Sequence, residues 1–460
     1  MPETVFNQSI WGDEGFSAIL SMKPLPQILE IISRDTSPPL WNIFEHFVFQ
    51  YLGTGEIYIR GLSLAFFLGT VFFTYKIGSF VFSRKTGAIA AILTLLNPFF
   101  FIYAFEGRMY SIMSLGVTAS MYYFLRIFRN EEVIRKRDKF GYIFWTLWAL
   151  YSHHFAFFAL FVQGVWFLYE LIFAKRQRAK KMFKLFLITG LGYLPWVFPL
   201  YNQTKMVGGG FWLGTPTVTD LRNLIYEYLA EGNKSYPFIV PIIEKGIHQT
   251  ALYIVLATLI VRNWLKNFKL TLFFLFWFLI PIGATWLLSQ HFQSVFYNRY
   301  LLYTIPGAML ILASSRRKII TPILLLITVG LFSTVDYYYF THPTKLPFRQ
   351  YSDYVKGELR EGDFLINWNS SSHHIWETKY YGIGGPIYIP SGGKLPFFVG
   401  TALMEESDII NEIPDGIKRV GVVTSGPVDE ITIDGYTEGE AKAFSNLKFV
   451  WFTKDEKLPQ

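Results

Sequence analysis

Residues 56–82 read EIYIRGLSLAFFLGTVFFTYKIGSFVF. Only Glu56, Arg60 and Lys76 carry charge in this stretch. It exceeds the roughly 20 residues that a helix needs to cross a bilayer, and it predicts a transmembrane helix. The pattern recurs outward from it. Apolar runs follow at 86–105, 110–128, 140–152, 155–173, 182–201, 247–263, 270–289, 300–314 and 318–337, so about ten transmembrane helices are expected. The run at 140–152 is short and must extend into its flanks or sit against protein. Composition agrees: 52% of the 460 residues are hydrophobic, 19% are aromatic, and only 17% are charged, below the roughly 25% of soluble domains.

The loops between the runs give an orientation. One alternating set covers 84–85, 126–139, 175–184, 262–269 and 316–318, and holds 20 Lys and Arg. The other set covers 1–55, 103–110, 152–154, 202–246 and 290–299, and holds 8 over a much longer stretch. Basic short loops stay on the cytoplasmic side. The N-terminal segment, the 202–246 loop and everything after 340 are therefore expected outside. The net charge of +8 is spent in loops facing anionic lipid, which argues against a nucleic-acid partner. The first 35 residues are polar and acidic and lack the basic start and apolar run of a signal peptide. Cysteine is absent, which excludes disulfides, thiolate zinc sites and cysteine nucleophiles.

Past residue 345 the texture changes. Apolar runs shrink to strand length, and Asp, Glu, Gly and Pro rise. Phe364–Trp368, Val420–Thr424 and Phe449–Phe452 predict strands, and 348–360 and 404–412 predict helices, so 345–460 reads as a small soluble α/β domain. The expected organisation is an extracytoplasmic catalytic loop with interfacial helices over 1–54, a transmembrane core over 55–340, and an extracytoplasmic domain over 345–460.

The informative polar residues all fall on the outer side. They are the loop Trp11-Gly12-Asp13-Glu14-Gly15, the segment from Asp35 through Pro38-Pro39 to Trp41, the hairpin Glu106-Gly107-Arg108-Met109-Tyr110, the hairpin pair His153-His154, and Tyr297-Asn298-Arg299-Tyr300. Singly, each has an ordinary reading: a solvated loop, a Pro-started interfacial helix, a snorkelling arginine, a structural histidine pair. Their common side changes that, because ionisable groups at membrane depth are costly and mark functional sites. Sugar transfer from a phospholipid needs this set of groups. A carboxylate takes the acceptor proton, cations stabilise the leaving phosphate, and arginine does so with two donors. The 202–246 loop adds Gly208-Gly209-Gly210 before Phe211-Trp212, which suggests a lid hinged at the glycines, with Trp212 at the site.

These residues resemble a known family. "WGDEG", "DTSPPLWNIFEHF", "NPFFFIYAFEGRMYSIMSL", "LYSHHFAFF" and "FYNRYLLYTIPGAMLILA" are similar, in that order over about 1–337, to the GT-C-fold glycosyltransferases. The similarity is to the bacterial branch related to protein O-mannosyltransferases, aminoarabinose transferases and Rgt-type lipopolysaccharide glycosyltransferases. The resemblance implies an all-α polytopic membrane bundle of the GT-C fold. It also implies an inverting transfer of a sugar from a polyprenyl-phosphate carrier to an acceptor hydroxyl at the outer face of the cell membrane. Lipid, glycan and protein acceptors all fit this reading. Asp13 matches the family's general base, Glu14 is its neighbour, and Asp35 matches the second acidic position. Glu106, Arg108 and Tyr110 match a Glu-x-Arg-x-Tyr signature. His153, with His154 beside it, matches the hairpin histidine, and Arg299 the late arginine near the donor phosphate. Catalysis is thus expected from Asp13, Glu14 and Asp35, and phosphate binding from Arg108, Arg299, His153 and Tyr110, with Glu106, His154 and Trp212 completing the site. The family often has Gln where Phe105 stands and His where Ser37 stands. The second departure weakens metal binding through that segment, so a divalent metal is left open and no other cofactor is called for.

Two other readings stand beside this one. A transporter or non-enzymatic lipid-binding protein would use the same cations to hold a lipid phosphate, but transporters usually carry internal repeats and broken helices near the midplane, and the sequence shows no repeat. A ligase or polymerase of surface glycans would use different donors, and the Asp-Glu loop ahead of the first span argues against it.

Overall fold

The computed structural model describes residues 3–129, 134–173, 176–233, 242–314 and 319–455. Lys175, Arg316–Lys318 and part of the 202–246 loop, all used above for orientation, lie outside the described residues. Three short helices come first: α1 (Gly12–Ser21), α2 (Leu25–Ser33) and α3 (Leu40–Tyr51). The segment around Asp13 and Glu14 is thus not the loop expected. It is the first turn of α1, where two acidic side chains meet the positive end of the helix dipole.

Every apolar run folds as helix, but not always as one helix. The quoted stretch is α4 (Glu56–Val81), about 39 Å long at 1.5 Å per residue. Ser83 caps α5 (Arg84–Leu95) by accepting from the Thr86 amide. α4 and α5 then touch backbone to backbone, since a Cβ on Gly78 would stand 2.7 Å from Gly87 Cα. The expected run 86–105 is split at Asn97-Pro98. The Asn97 side chain accepts from the Phe100 amide, and Pro98 opens α6 (Pro98–Tyr103), because proline cannot donate to the preceding turn. α7 (Tyr110–Arg129) is buried almost throughout and forms the centre of the bundle. α8 (Lys136–Ser152) extends the short run into its N-terminal flank and packs on α7 where Gly116 has no side chain. α9 (Ala156–Phe173) and α10 (Arg176–Tyr193) follow, and a 3-10 turn at Pro195 separates α10 from α11 (Val197–Gly208). Beyond α12 (Val218–Tyr226), Glu227–Glu231 is a single π turn. α13 (Ile242–Ile260), α14 (Phe268–His291), α15 (Ile305–Ala313) and α16 (Ile320–Thr341) complete the bundle. Among the described residues five helical segments are long and apolar enough to cross a membrane: 56–81, 156–173, 182–208, 268–291 and 320–341. The remaining expected spans fold as shorter, broken or more polar helices.

The described parts of the basic loops, within 84–85, 126–139 and 262–269, gather at one end of this bundle. Arg129 donates to the carbonyls of Phe80 and Val81 at the end of α4, Arg126 bridges Asp138 at the start of α8, and Lys269 bridges Glu170 near the end of α9.

Residues 348–455 carry α17 (Phe348–Glu358), α18 (Ile375–Tyr380) and a six-stranded sheet. Its strands are β1 (Phe364–Trp368), β2 (Ile387–Tyr388), β3 (Ile409–Ile410), β4 (Arg419–Thr424), β5 (Tyr436–Phe444) and β6 (Leu447–Lys454), in the order β3-β2-β1-β4-β6-β5. β1 to β4 are parallel, while β6 and β5 run antiparallel. All three expected strands are present, as is the helix at 348. The expected helix over 404–412 is absent. Asp408 instead accepts from the Glu405 amide to close a 3-10 turn and bridges Lys379, and Ile409-Ile410 then pair in register with Ile387-Tyr388.

Candidate active site

A cavity of about 840 Å³ lies at the end of the bundle away from the basic loops. α1, the segment 35–37, the hairpins 108–110 and 153–155, the segment 295–300 and the loops 369–376 and 395–400 of the C-terminal domain enclose it. Asp13, Asp35, Arg108, Tyr110, His153, His154, Trp212 and Arg299 all line it. Glu14 and Glu106 do not.

Arg299 is the hub. Tyr228 of the π turn donates to the Asn298 carbonyl, and the Asn298 side chain accepts from the Arg299 amide at 2.8 Å, which fixes this short 3-10 segment. Tyr303 donates to the Phe155 carbonyl and ties the segment to the histidine hairpin. The Arg299 guanidinium reaches Asp13 Oδ2 at 2.6 Å, and its carbon stands 5.0–6.0 Å from the ring centres of Trp11, Tyr110, Tyr297 and Tyr300. These rings hold the cation by their faces at the cavity wall, with 9% of its side chain exposed. Arg108 donates to the Asp13 carbonyl at 3.0 Å and to Ser17 Oγ at 2.5 Å, so it is clamped to α1. Glu106 sits behind the cavity wall. It bridges Lys345 at 2.6 Å, accepts from Trp11 Nε1 at 3.1 Å and lies 4.0 Å from Arg299.

The two adjacent carboxylates diverge because neighbours on a helix point about 100° apart. Burial raises the Asp13 carboxyl, but Arg299 and Arg108 outweigh that and hold it at about 2, and over a third of the side chain stays open to the cavity. Glu14 is sealed. It pairs with Arg60 at 3.0 Å, both fully buried, and accepts from the Gly107 amide at 2.8 Å. Burial raises its carboxyl as well, and Arg60 and Lys345 more than reverse that. Arg60 also donates to the carbonyls of Gln8 and Ser9. Asp35 has no cation bonded to it, and burial holds its carboxyl above the usual range. His153 accepts from the Phe155 amide through Nδ1 at 3.1 Å, which leaves Nε2 to carry the proton of the neutral ring. Burial, helped by His154, Arg108 and Arg299, keeps it neutral. His154 Nε2 bonds Gln203 at 2.6 Å, and burial lowers it to about 4. The Trp212 ring stands edge-on to Tyr297 at 5.1 Å. Its loop is fastened where Gln293 donates to the carbonyls of Phe211 and Leu213.

Several residues of this site escaped the sequence reading. Arg60 carried a signal: an arginine inside an apolar span demands a buried partner. Lys345 carried none, standing 239 positions from Glu106. The C-terminal domain's share of the wall, Asn369 to Trp376 and Leu395 to Gly400, depends on how two domains dock and leaves no local trace. Among the described residues no group of three or more His, Asp or Glu is placed to hold a metal ion.

The architecture has known counterparts. The chain is similar to the apo crystal structure of ArnT from Cupriavidus metallidurans, with a TM-score of 0.62 over 97% of this chain and 94% of that one, at 11% identity. It is also similar to the archaeal oligosaccharyltransferase AglB from Archaeoglobus fulgidus in complex with an inhibitory peptide and a dolichol-phosphate. There the TM-score is 0.50 over 90% of this chain and 66% of that one, again at 11% identity. At such identity the likeness is one of fold, and the fold is GT-C: a helical membrane bundle, here with a small C-terminal sheet domain. No protein-family model matches the sequence, and no curated protein sequence does.

Proposed function

We propose that this chain is an inverting glycosyltransferase that moves a sugar from a polyprenyl-phosphate carrier to an acceptor hydroxyl at the outer face of the membrane. One observation carries the reading: a cavity at the end of the bundle opposite the basic loops presents one open carboxylate, Asp13, against two arginines, Arg108 and Arg299. The dolichol-phosphate in the AglB complex gives the donor class a precedent on this fold.

The chemistry follows from the pairing. An Asp13 carboxylate held at about 2 by Arg299 is a weak base. A donor phosphate arriving at Arg299 competes for the same guanidinium, and as the glycosidic bond breaks the phosphate gains a second charge that draws Arg299 further. Asp13, relieved of its partner, regains basicity and takes the acceptor proton. The acceptor oxygen bonds the anomeric carbon from the face opposite the phosphate, the carbon–phosphate-oxygen bond breaks, and its electron pair leaves on the phosphate. His153 serves as a neutral donor to a phosphate oxygen, Tyr110 supports Arg299, and Glu106 holds Lys345 and Trp11 in place. Asp35, without a cationic partner, orients the acceptor hydroxyl and is the runner-up as base. Glu14 has a positioning role through Arg60.

The test is release of free polyprenyl phosphate from a panel of polyprenyl-phosphate sugars by purified protein. Asp13→Asn is expected to bind donor but not turn it over. Turnover lost only in Asp35→Asn would move the base to Asp35, and binding without turnover by the wild type across the panel would leave a lipid-phosphate-binding protein. For orientation, cysteine at exposed Ser391, in a chain with no other cysteine, is expected to react with an impermeant thiol reagent in intact cells. Labelling only after lysis would reverse the topology.

A further inference from the structure

The glycines flanking the acidic pair do something the transfer chemistry alone does not require. A Cβ on Gly15 would stand 3.0 Å from the Trp376 backbone, and one on Gly12 would stand 3.4 Å from the His373 ring. From the other side Gly400, at φ +94°, lies where a Cβ would meet the Phe16 ring at 2.6 Å and Trp376 Nε1 at 2.9 Å. α1 and the segment around α18 are therefore in contact at backbone level, and the spacing in Trp11-Gly12-Asp13-Glu14-Gly15 is what allows it. The result is that the C-terminal domain sets its own side chains beside Asp13 on the cavity wall.

Those side chains are of one kind. Asn369, Ser370, Ser372 and His373 line the cavity, and none of the four makes a side-chain hydrogen bond to protein among the described residues. Among the described residues no charged side chain of the C-terminal domain lines it, while the exposed Phe398 ring does. Burial, with His374 behind it, lowers His373 to about 4, so the imidazole is uncharged at neutral pH. An amide, two hydroxyls, a neutral imidazole and an aromatic ring complement a neutral polyhydroxylated ring, since each polar atom exchanges bonds with water for bonds with sugar hydroxyls and Phe398 can cover the sugar's apolar face. Such a wall is a poor match for phosphate, which the arginines serve.

We propose that Asn369, Ser370, Ser372 and His373 form a subsite for a neutral sugar ring, held by the C-terminal domain next to Asp13. The proposal deepens the glycosyltransferase reading and rests on it for the ring's place in the reaction. The ring is either the one carried by the donor or a sugar of the acceptor, and the experiment separates these sources.

Full-length wild type, Asn369→Ala and His373→Ala in nanodiscs are compared with three probes: bare polyprenyl phosphate, a panel of polyprenyl-phosphate hexoses and pentoses, and methyl hexopyranosides followed by saturation-transfer NMR with bare polyprenyl phosphate present. His373→Gln restores a neutral donor and acceptor, and unchanged melting temperatures confirm folding. If the subsite takes the donor sugar, both alanine variants bind the best sugar-bearing lipid about 3- to 10-fold more weakly, the loss expected for one neutral hydrogen bond, and bind bare lipid as wild type does. If it takes an acceptor sugar, lipid affinities are unchanged and the methyl glycoside signal disappears in the variants. His373→Gln recovers most of either loss. Variants that match wild type for every lipid and every glycoside overturn the proposal. Wild type that binds no lipid at all sinks the donor-phosphate reading instead, and the glycoside signal, lost or kept in His373→Ala, then decides the subsite on its own.

Discussion

Asp13 and Glu14 are consecutive residues with the same charge, each 2.6–3.0 Å from an arginine, yet they inhabit different regions of the molecule. The region behind α1 is closed. Glu14 and Arg60 are fully buried, and each also satisfies backbone groups, Gly107 on one side and Gln8 and Ser9 on the other. The region in front of α1 is open. Asp13 and Arg299 meet at the cavity wall, where rings rather than backbone surround the cation. A sealed ion pair is costly to break because the survivor has nowhere to go, whereas an open one can exchange its partner for a ligand. The difference separates a brace from a working pair, and it lies in the surroundings rather than in the pair.

The largest effect that probes this contrast is on stability. Arg60→Ala leaves Glu14 buried and unpaired, and a loss of about 3–5 kcal/mol is expected, read as a large fall in the unfolding midpoint in detergent. Arg299→Ala is expected to cost far less, and equal losses at the two arginines would erase the distinction. Next in size, Asp13→Asn is expected to lower transfer by about 10²-fold or more with its unfolding midpoint close to wild type. A parallel loss of stability would place Asp13 with the braces. Smaller again, Arg299→Lys keeps the charge but not the fork, and about a tenfold fall in kcat/KM is expected, the worth of one charge-assisted hydrogen bond. Wild-type kinetics would take the phosphate away from Arg299.

The smallest effect is a slope in pH. On the closed side Glu45 accepts from Ser21 at 2.7 Å with no cation bonded to it, and burial pushes its carboxyl from 4.5 to about 8. Because the folded value is raised, the folded state holds a proton that the unfolded chain releases. Stability from this group is full below about 4.5 and is lost as pH rises toward 8. Glu377, also raised to about 8 by burial, adds a slope of the same sign. Melting temperature is expected to fall from pH 6.5 to pH 8, above the range in which the lowered histidines act with the opposite sign, and Glu45→Gln to flatten part of that fall. An unchanged slope in Glu45→Gln would mean the group is ionised in the folded state.

Hydropathy alone revealed the bundle, because lipid allows only helices whose backbone groups are satisfied within the segment, and each apolar run is helical here. The breaks inside the runs were less visible, although Asn97-Pro98 and Pro195 mark them by residue type. In the C-terminal domain β1, β4 and β6 were legible as apolar strands, whereas β2 and β3, two residues each, exist only through their partners. At the site Asp13, Arg108, His153 and Arg299 were legible because ionisable groups at helix ends stand out against an apolar chain. Lys345 and His373 were not, since each belongs to the cavity by docking rather than by local pattern. The separation of Asp13 from Glu14 became decisive only once Arg60 was seen behind one and a cavity in front of the other.

The docking of α18 on the glycines of α1 also sets a timetable. Asp13 meets Arg299 across 286 positions of sequence, and Gly15 waits still longer for Trp376. At ribosomal speeds of about 5–20 residues per second, α1 emerges on the order of tens of seconds before its last partner. For most of that interval the carboxylate of the nascent chain lacks its arginine, and for all of it the far wall. On the transferase reading proposed above, no inhibitory segment is needed to keep such a chain idle: the site comes into being only when the final domain folds back onto the first helix.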